Sequence, residues 1–313
     1  MSESTPSQPV PSFGEACDRG RVREENQDCV RHVSTAMGEL LLVADGIGGY
    51  RGGGTASGIV VESFASWVSA LAPNYSAARA IAEAAAQANA NIMETAASGE
   101  PAYQQMGSTV VLALITQDQH STRAWIGHIG DSRAYLARDG VLSRLTRDHS
   151  AVQALIDRNE LSPENARSHP DASVLTRSLG HQPEVEIEIT MTPLEAGDSL
   201  LLCSDGLWGF VPEQDIADVL TNLEIAAGTA ADQLLDLALQ AGGPDNIGIE
   251  VVRYRTAIAE PEPMAEPGED ENEQPPSRRR TVALALLMLA IVLGALVGWY
   301  ADHNWVSPIA PSR

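Results

Sequence analysis

Cysteine is scarce: the 313 residues hold three, Cys17, Cys29 and Cys203, and no C-x-x-C pair. An odd count without that spacing argues against a disulfide framework, and reduced, mostly buried thiols in a cytosolic domain are the expected state. No cysteine opens a phosphate-cradling loop that ends in arginine, which disfavours a cysteine nucleophile working on phosphate esters. Basic residues are few as well. Twenty Lys and Arg stand against 42 Asp and Glu, a formal charge of −22, and such a surface repels a nucleic-acid backbone. Acidic domains are common and soluble, so the charge alone says little more. The first residues offer neither a basic start nor an apolar stretch, and no signal peptide is read there. Aromatics make up only 4%, yet 44% of the residues are apolar, enough to bury a core.

The polar, proline-bearing residues 1–12 read as a disordered leader. Residues 256–277 hold five prolines and seven acids without one base. They predict an extended, self-repelling linker over 256–280 that ends in Arg278, Arg279 and Arg280. From Thr281 to Tyr300 there are 20 residues without a charge, which as a helix span about 30 Å, the thickness of a bilayer core. Trp299, Tyr300 and Trp305 mark the far end. Arginines on one side and aromatics on the other predict a transmembrane helix at 281–301, with the preceding domain in the cytoplasm and a short outer tail at 302–313.

Residues 13–255 read as one domain without an internal repeat. Short runs rich in Val, Ile and Leu predict strands at 39–44, 108–116, 123–129, 132–137, 185–191, 199–203 and 247–254. Helical spacing of Val60, Phe64, Trp67, Val68 and Leu71 predicts a helix over 55–71. Ser76 is placed to cap an alanine-rich helix running to Thr95, and a second helical pair is read at 216–223 and 230–240. Helices in pairs between runs of strands suit an α+β fold, with two antiparallel sheets face to face and helix pairs outside.

The chemistry is concentrated in five acidic motifs: Asn26-Gln27-Asp28, Asp45-Gly46-Ile47-Gly48-Gly49, Gly130-Asp131-Ser132-Arg133, Ser204-Asp205-Gly206 and Gly243-Pro244-Asp245-Asn246. Singly, an aspartate beside glycine is turn chemistry. Five of them, most after apolar runs, point to carboxylates converging on hard cations such as Mg²⁺ or Mn²⁺. Glycine after Asp45 lets the backbone approach an ion, so the Gly46 carbonyl joins the candidate ligands. No Gly-Lys-Ser/Thr follows, which excludes a nucleotide P-loop.

Other segments fall in line with these motifs. They are Gly20-Arg21-Val22-Arg23, Gly107-Ser108-Thr109, Leu145-Thr146-Arg147-Asp148-His149-Ser150, Leu175-Thr176-Arg177-Ser178-Leu179-Gly180 and Leu202-Cys203-Ser204-Asp205-Gly206-Leu207-Trp208. With them, roughly residues 13–254 resemble the metal-dependent Ser/Thr protein phosphatases (PPM, or protein phosphatase type 2C, family) of bacterial type. The resemblance implies a four-layer α/β/β/α sandwich and hydrolysis of phosphoserine and phosphothreonine in proteins with two or three Mn²⁺ or Mg²⁺ ions. Asp45 would bridge two ions, the Gly46 carbonyl would bind the first, and Asp205 and Asp245 the second. Asp131 with Asp205 would hold a third, and Asp28 would orient metal-bound water from behind. Arg23 would grip the phosphate with its planar donor fork, acting with Asp45 in catalysis. The ions would activate water for in-line attack without a covalent enzyme intermediate.

Two departures stand out. Animal members carry a histidine after the Asp-Gly pair, proposed as general acid, whereas this chain, like many bacterial members, has an apolar residue, Ile47. His149 and His169 are candidates for that role by residue type alone. A glutamate common in the first motif is Gln27 here, which predicts weaker metal binding. The resemblance further places a mobile flap near residues 150–180 and the anchor in a bacterial inner membrane. The implied partners are phosphoproteins, a Ser/Thr kinase and its substrates. The competing readings are a catalytically weak phosphoprotein-binding scaffold, disfavoured by the four intact aspartates, and a phosphatase within a regulatory switch.

Overall fold

The computed structural model describes residues 10–48, 51–119 and 121–255. In chain order its strands are β1 (Val10–Asp18), β2 (Asp28–Thr35), β3 (Gly38–Ile47), β4 (Gly107–Ser108), β5 (Val110–Gln117), β6 (Thr122–Ile129), β7 (Arg133–Arg138), β8 (Val141–Arg144), β9 (Glu188–Leu194), β10 (Ser199–Cys203) and β11 (Ile247–Arg255). The helices are α1 (Gly52–Ser69), α2 (Ala77–Ala96), α3 (Ala151–Asp157), α4 (Pro163–Ala166), α5 (Asp205–Trp208), α6 (Glu213–Thr221) and α7 (Ala227–Gln240). One sheet runs β1-β11-β10-β7-β8 and the other β2-β3-β5-β6-β9, with the short β4 pairing to the end of β3.

Alternation along the apolar runs makes the layers. In β3, Leu40, Leu42 and Ala44 join the core under α1 and α2, while Leu41 and Val43 face the opposite sheet. Strand β5 divides in the same way, with Val110, Leu112 and Leu114 under the helices and Val111, Ala113 and Ile115 between the sheets. In the other sheet, Leu201 and Cys203 of β10 pack against the α5–α7 side, and Leu200 and Leu202 point inward. A two-residue period with both faces buried yields a continuous apolar run, which makes these strands visible in the sequence.

Helices α1 and α2 close one outer layer through Phe64, Val68, Ile81 and Ile92, all fully buried; each such side chain contributes about 1.5–3 kcal/mol of burial. Alanines 80, 84, 85 and 88 let α2 lie close to its neighbours. The predicted cap is present: the Ser76 side chain accepts from the Arg79 N–H at 3.4 Å. On the far side α6 and α7 bury Ile216, Leu220 and Leu234. The four-layer sandwich is therefore observed.

Three strands were absent from the sequence reading: β1, β2 and β8. β1 begins at Val10, inside the segment read as a leader, and pairs with β11 from Val10↔Arg255 to Asp18↔Ile247. The 150–180 region, read as a flap, contains α3 and α4. The Ser150 side chain caps α3 by accepting from Gln153 N–H at 3.2 Å. Among the described residues no helix is long and apolar enough to cross a membrane; the predicted linker, helix and tail at 256–313 lie outside them.

Candidate functional site

The topology carries the acidic motifs to one end of both sheets. Asp28 and Asp45 are direct cross-strand partners of β2 and β3. Asp131 lies in the turn between β6 and β7, Asp205 opens α5 directly after β10, and Asp245 sits just before β11. Arg23, Asp45, Gly46, Asp131, Asp205 and Asp245 line one cleft of about 850 Å³. Asp28 is not on its wall. It lies buried behind, where Oδ2 accepts from the Ser204 hydroxyl at 2.6 Å and Oδ1 has no hydrogen-bond partner.

Neighbouring motif residues fix these positions. Asp45 N–H donates to Thr109 Oγ1 at 3.1 Å, and its carbonyl accepts from Thr109 N–H at 2.8 Å and Ser108 Oγ at 3.0 Å. Thr109 Oγ1 also meets Ser132 Oγ at 2.7 Å, tying Asp45 to the Asp131 turn. The Trp208 indole N–H donates to the Asp131 carbonyl at 3.0 Å. Asn246 clamps the opposite rim: its Oδ1 accepts from Gln27 N–H at 2.8 Å, and its Nδ2 donates to the carbonyls of Arg19 and Glu25 at 2.8 and 2.9 Å. At Gly46 a β-carbon would stand 2.1 Å from the Gly53 carbonyl oxygen, so only glycine fits this close approach of two backbones.

Electrostatically the cleft is crowded with one sign of charge. Burial, followed by the charges of Asp28, Asp205, Asp131 and Asp245, holds the Asp45 carboxyl well above the ordinary range. Burial and the charges of Asp131, Asp245 and Asp28 do the same for Asp205. Burial pushes Asp28 up to about 7 against the opposing Ser204 hydrogen bond, and burial with the nearby Asp148 charge pushes Asp131 up to about 6. Among the described residues one ion pair reaches this group, from Arg23 to Asp245 at 2.7 Å, and Arg23 is half exposed. The arginine read as the phosphate grip thus rests on a carboxylate read as a metal ligand. Clustered carboxylates and a carbonyl held open by glycine form an all-oxygen donor set that fits Mg²⁺ or Mn²⁺, with the buried Asp28 behind it.

A second group, His128, His149 and Glu188, brings ligand-type atoms within 4.8 Å of one another. Its two rings stack with centroids 4.7 Å apart and 18° between planes, so their in-plane lone pairs do not converge on one ion. His149 instead braces the Asp131 turn, accepting from Gly130 N–H on Nδ1 at 3.2 Å and donating its own N–H to the Gly130 carbonyl at 2.8 Å. The other sequence candidate, His169, is turned inward on its own loop, where Nδ1 accepts from Asp171 N–H at 3.1 Å. Neither lines the cleft; His181, which the sequence reading passed over, does. It directly follows the Leu175–Gly180 motif, and that adjacency was the available signal.

A protein-family model described as protein phosphatase 2C matches residues 19–240. The serine/threonine protein phosphatase PstP of Mycobacterium tuberculosis is 38% identical over 250 residues, covering 78% of this chain and 46% of PstP. The chain therefore matches about half the length of that relative. The serine/threonine phosphatase stp of Listeria monocytogenes is 35% identical over 239 residues, covering 75% of this chain and 92% of stp. Among solved structures, the catalytic domain of PstP in complex with two manganese ions is similar with a TM-score of 0.69 at 35% identity, covering 79% of this chain and 99% of that one.

Proposed function

The chain belongs to the protein phosphatase 2C family, and on that premise we propose that it hydrolyses phosphoserine and phosphothreonine monoesters in proteins, opposing a bacterial Ser/Thr kinase. The observation that carries the reading is the convergence of Asp45, Asp131, Asp205 and Asp245, from four separated segments, on one cleft. These carboxylates and the Gly46 carbonyl would hold two or three Mn²⁺ or Mg²⁺ ions. Bound there, the ions supply an activated water and neutralise phosphate charge.

The remaining steps belong to the chain itself. Arg23, exposed at the rim, swings between Asp245 and the phosphate oxygens, which its planar fork matches in pairs. Thr109 and Ser108 keep Asp45 in place so that little reorganisation accompanies attack. Asp28, held by Ser204, supports Asp45 from behind. The segment from Ser173 to Gln182 walls the cleft and limits which peptides enter. Beyond the described residues, the uncharged 281–300 stretch anchors the enzyme in the inner membrane, raising its concentration near membrane-bound substrates.

The test is hydrolysis of a phosphothreonine peptide by the full chain, with Mn²⁺ or with chelator. Metal-dependent turnover that Asp45→Asn and Asp205→Asn both abolish is the expected result. A folded, Mn²⁺-binding protein without turnover would favour the scaffold reading. Partition of the full chain into membranes, lost on removing residues 281–313, tests the anchor.

A further inference from the structure

A seryl or threonyl oxygen is a poor leaving group, because it departs as an alkoxide unless a proton reaches it while the P–O bond breaks. On the phosphatase reading the cleft carboxylates would be taken up by cations, and residue 47, at the end of β3, is isoleucine. Among the described residues lining the cleft there is one histidine, His181.

Its placement is built rather than incidental. Gly107 is the cross-strand partner of Ile47, two residues along β3 from Asp45. The His181 ring lies directly on Gly107: a β-carbon there would stand 2.3 Å from Cε1 and 2.6 Å from Nδ1. The chain on either side is pinned. Leu179 and Ser108 exchange backbone hydrogen bonds at 3.1 and 2.9 Å. Gly180, with φ of +92°, donates its N–H to Asn89 Oδ1 at 2.8 Å, and Asn89 Nδ2 donates to the Gln182 carbonyl at 2.8 Å. Nδ1 of His181 is 2.8 Å from Ser178 Oγ, which fixes the ring and leaves Nε2 as the nitrogen for a ligand.

Resting on the phosphatase reading above, we propose that His181 is the general acid that protonates the leaving seryl or threonyl oxygen. As a water oxygen forms its bond to phosphorus, the ester P–O bond breaks and its electron pair goes to the leaving oxygen. The imidazolium gives that oxygen its Nε2 proton, while Nδ1 stays on Ser178. The attacking water keeps one proton on the product phosphate and releases the other to solvent, from which the neutral ring is reprotonated. Products are the free hydroxyl side chain and inorganic phosphate. Ser178 acts as a positioning residue for the ring.

The experiment compares the full chain with His181→Gln and Ser178→Ala, in Mn²⁺, on a phosphothreonine peptide, phenyl phosphate and p-nitrophenyl phosphate. His181 is exposed, so both variants should keep the wild-type Tm. For His181→Gln the expected loss in kcat is about 10²-fold on phosphothreonine, shrinking stepwise as the leaving group becomes more acidic. Ser178→Ala should show the same gradient with a smaller amplitude, and Mn²⁺ affinity measured by calorimetry should not follow it. A loss of equal size on all three esters, or none on phosphothreonine, overturns the assignment. A wild-type chain inactive on every ester would instead overturn the phosphatase reading itself.

Discussion

Asp148 and Asp198 are at least as enclosed as most aspartates of the cleft, yet each is met by a forked arginine. Arg133 donates to Asp148 at 3.0 and 2.6 Å, and Arg138 to Asp198 at 2.8 and 2.6 Å. In the cleft, Asp45, Asp131 and Asp205 face one another instead, with one arginine at the rim on Asp245. Residue type is alike and the paired acids are, taken together, the more enclosed, so company and not burial sets the cleft apart. Paired acids act as fasteners of the fold; Asp198 also accepts from the Glu195 N–H at 2.7 Å, closing the turn before β10. Unpaired acids store repulsion that a divalent cation relieves, and such local instability is the mark of a site selected for binding.

Exchanging single aspartates between the two environments should break this contrast in opposite directions. Asp205→Asn should lower phosphothreonine hydrolysis by about a thousandfold, while relief of repulsion raises the metal-free Tm by about 2–4 °C. Steady-state kinetics and thermal unfolding in chelator would check both. Asp198→Asn should do the reverse, destabilising the fold by about 1 kcal/mol, as the buried Asp198 gives up its charge-assisted fork while the partly exposed Arg138 keeps Glu195 at 3.1 Å. Its activity per folded molecule should stay at the wild-type level.

The pH dependence sharpens the comparison without mutation. Asp28 and Asp131 are raised to about 7 and about 6 from an ordinary value near 3.8. Between those limits the folded state binds more protons than the unfolded one, so metal-free stability is fully present below about pH 4 for these groups and falls as pH rises to about 7. Unfolding in chelator should therefore show Tm declining across that window, and Mn²⁺ should remove or reverse the decline. The smallest effect concerns Gln27, whose carbonyl accepts from Gly46 N–H at 3.1 Å and whose side chain approaches Gly53. Adding a carboxylate with Gln27→Glu should tighten Mn²⁺ binding a few-fold by titration; unchanged affinity would remove position 27 from the metal's surroundings.

How much of this was legible follows from burial. Strands β3, β5, β10 and β11 are buried on both faces and read directly as apolar runs. β1 and β2 are sheet edges, and β8 is a short edge with mostly exposed residues. Pro11 in β1 is tolerated because an edge strand has one unpaired side, and Gly14 is required where a β-carbon would stand 2.3 Å from the Ala227 carbonyl of α7; those same residues hide the strand from a propensity reading. The aspartates are legible because five such acids, three of them beside glycine and most after apolar runs, are rarely all turns. Their supports are less so. Thr109, Asn246 and His149 act across 64, 219 and 19 residues of sequence, and no local pattern announces such pairings. His181 carries a local signal in its adjacency to the Leu175–Gly180 motif, but its relation to Ile47 exists only through the Gly107 pairing.

The most direct measurement is calorimetric titration of Mn²⁺ into the metal-free full chain near pH 6.5, in two buffers of different ionisation enthalpy. Carboxyls held up by burial and by one another must shed protons to receive a cation, so the account predicts binding with proton release, diminished in Asp205→Asn and unchanged in Asp198→Asn. Binding without proton release, or binding indifferent to Asp205, would contradict it.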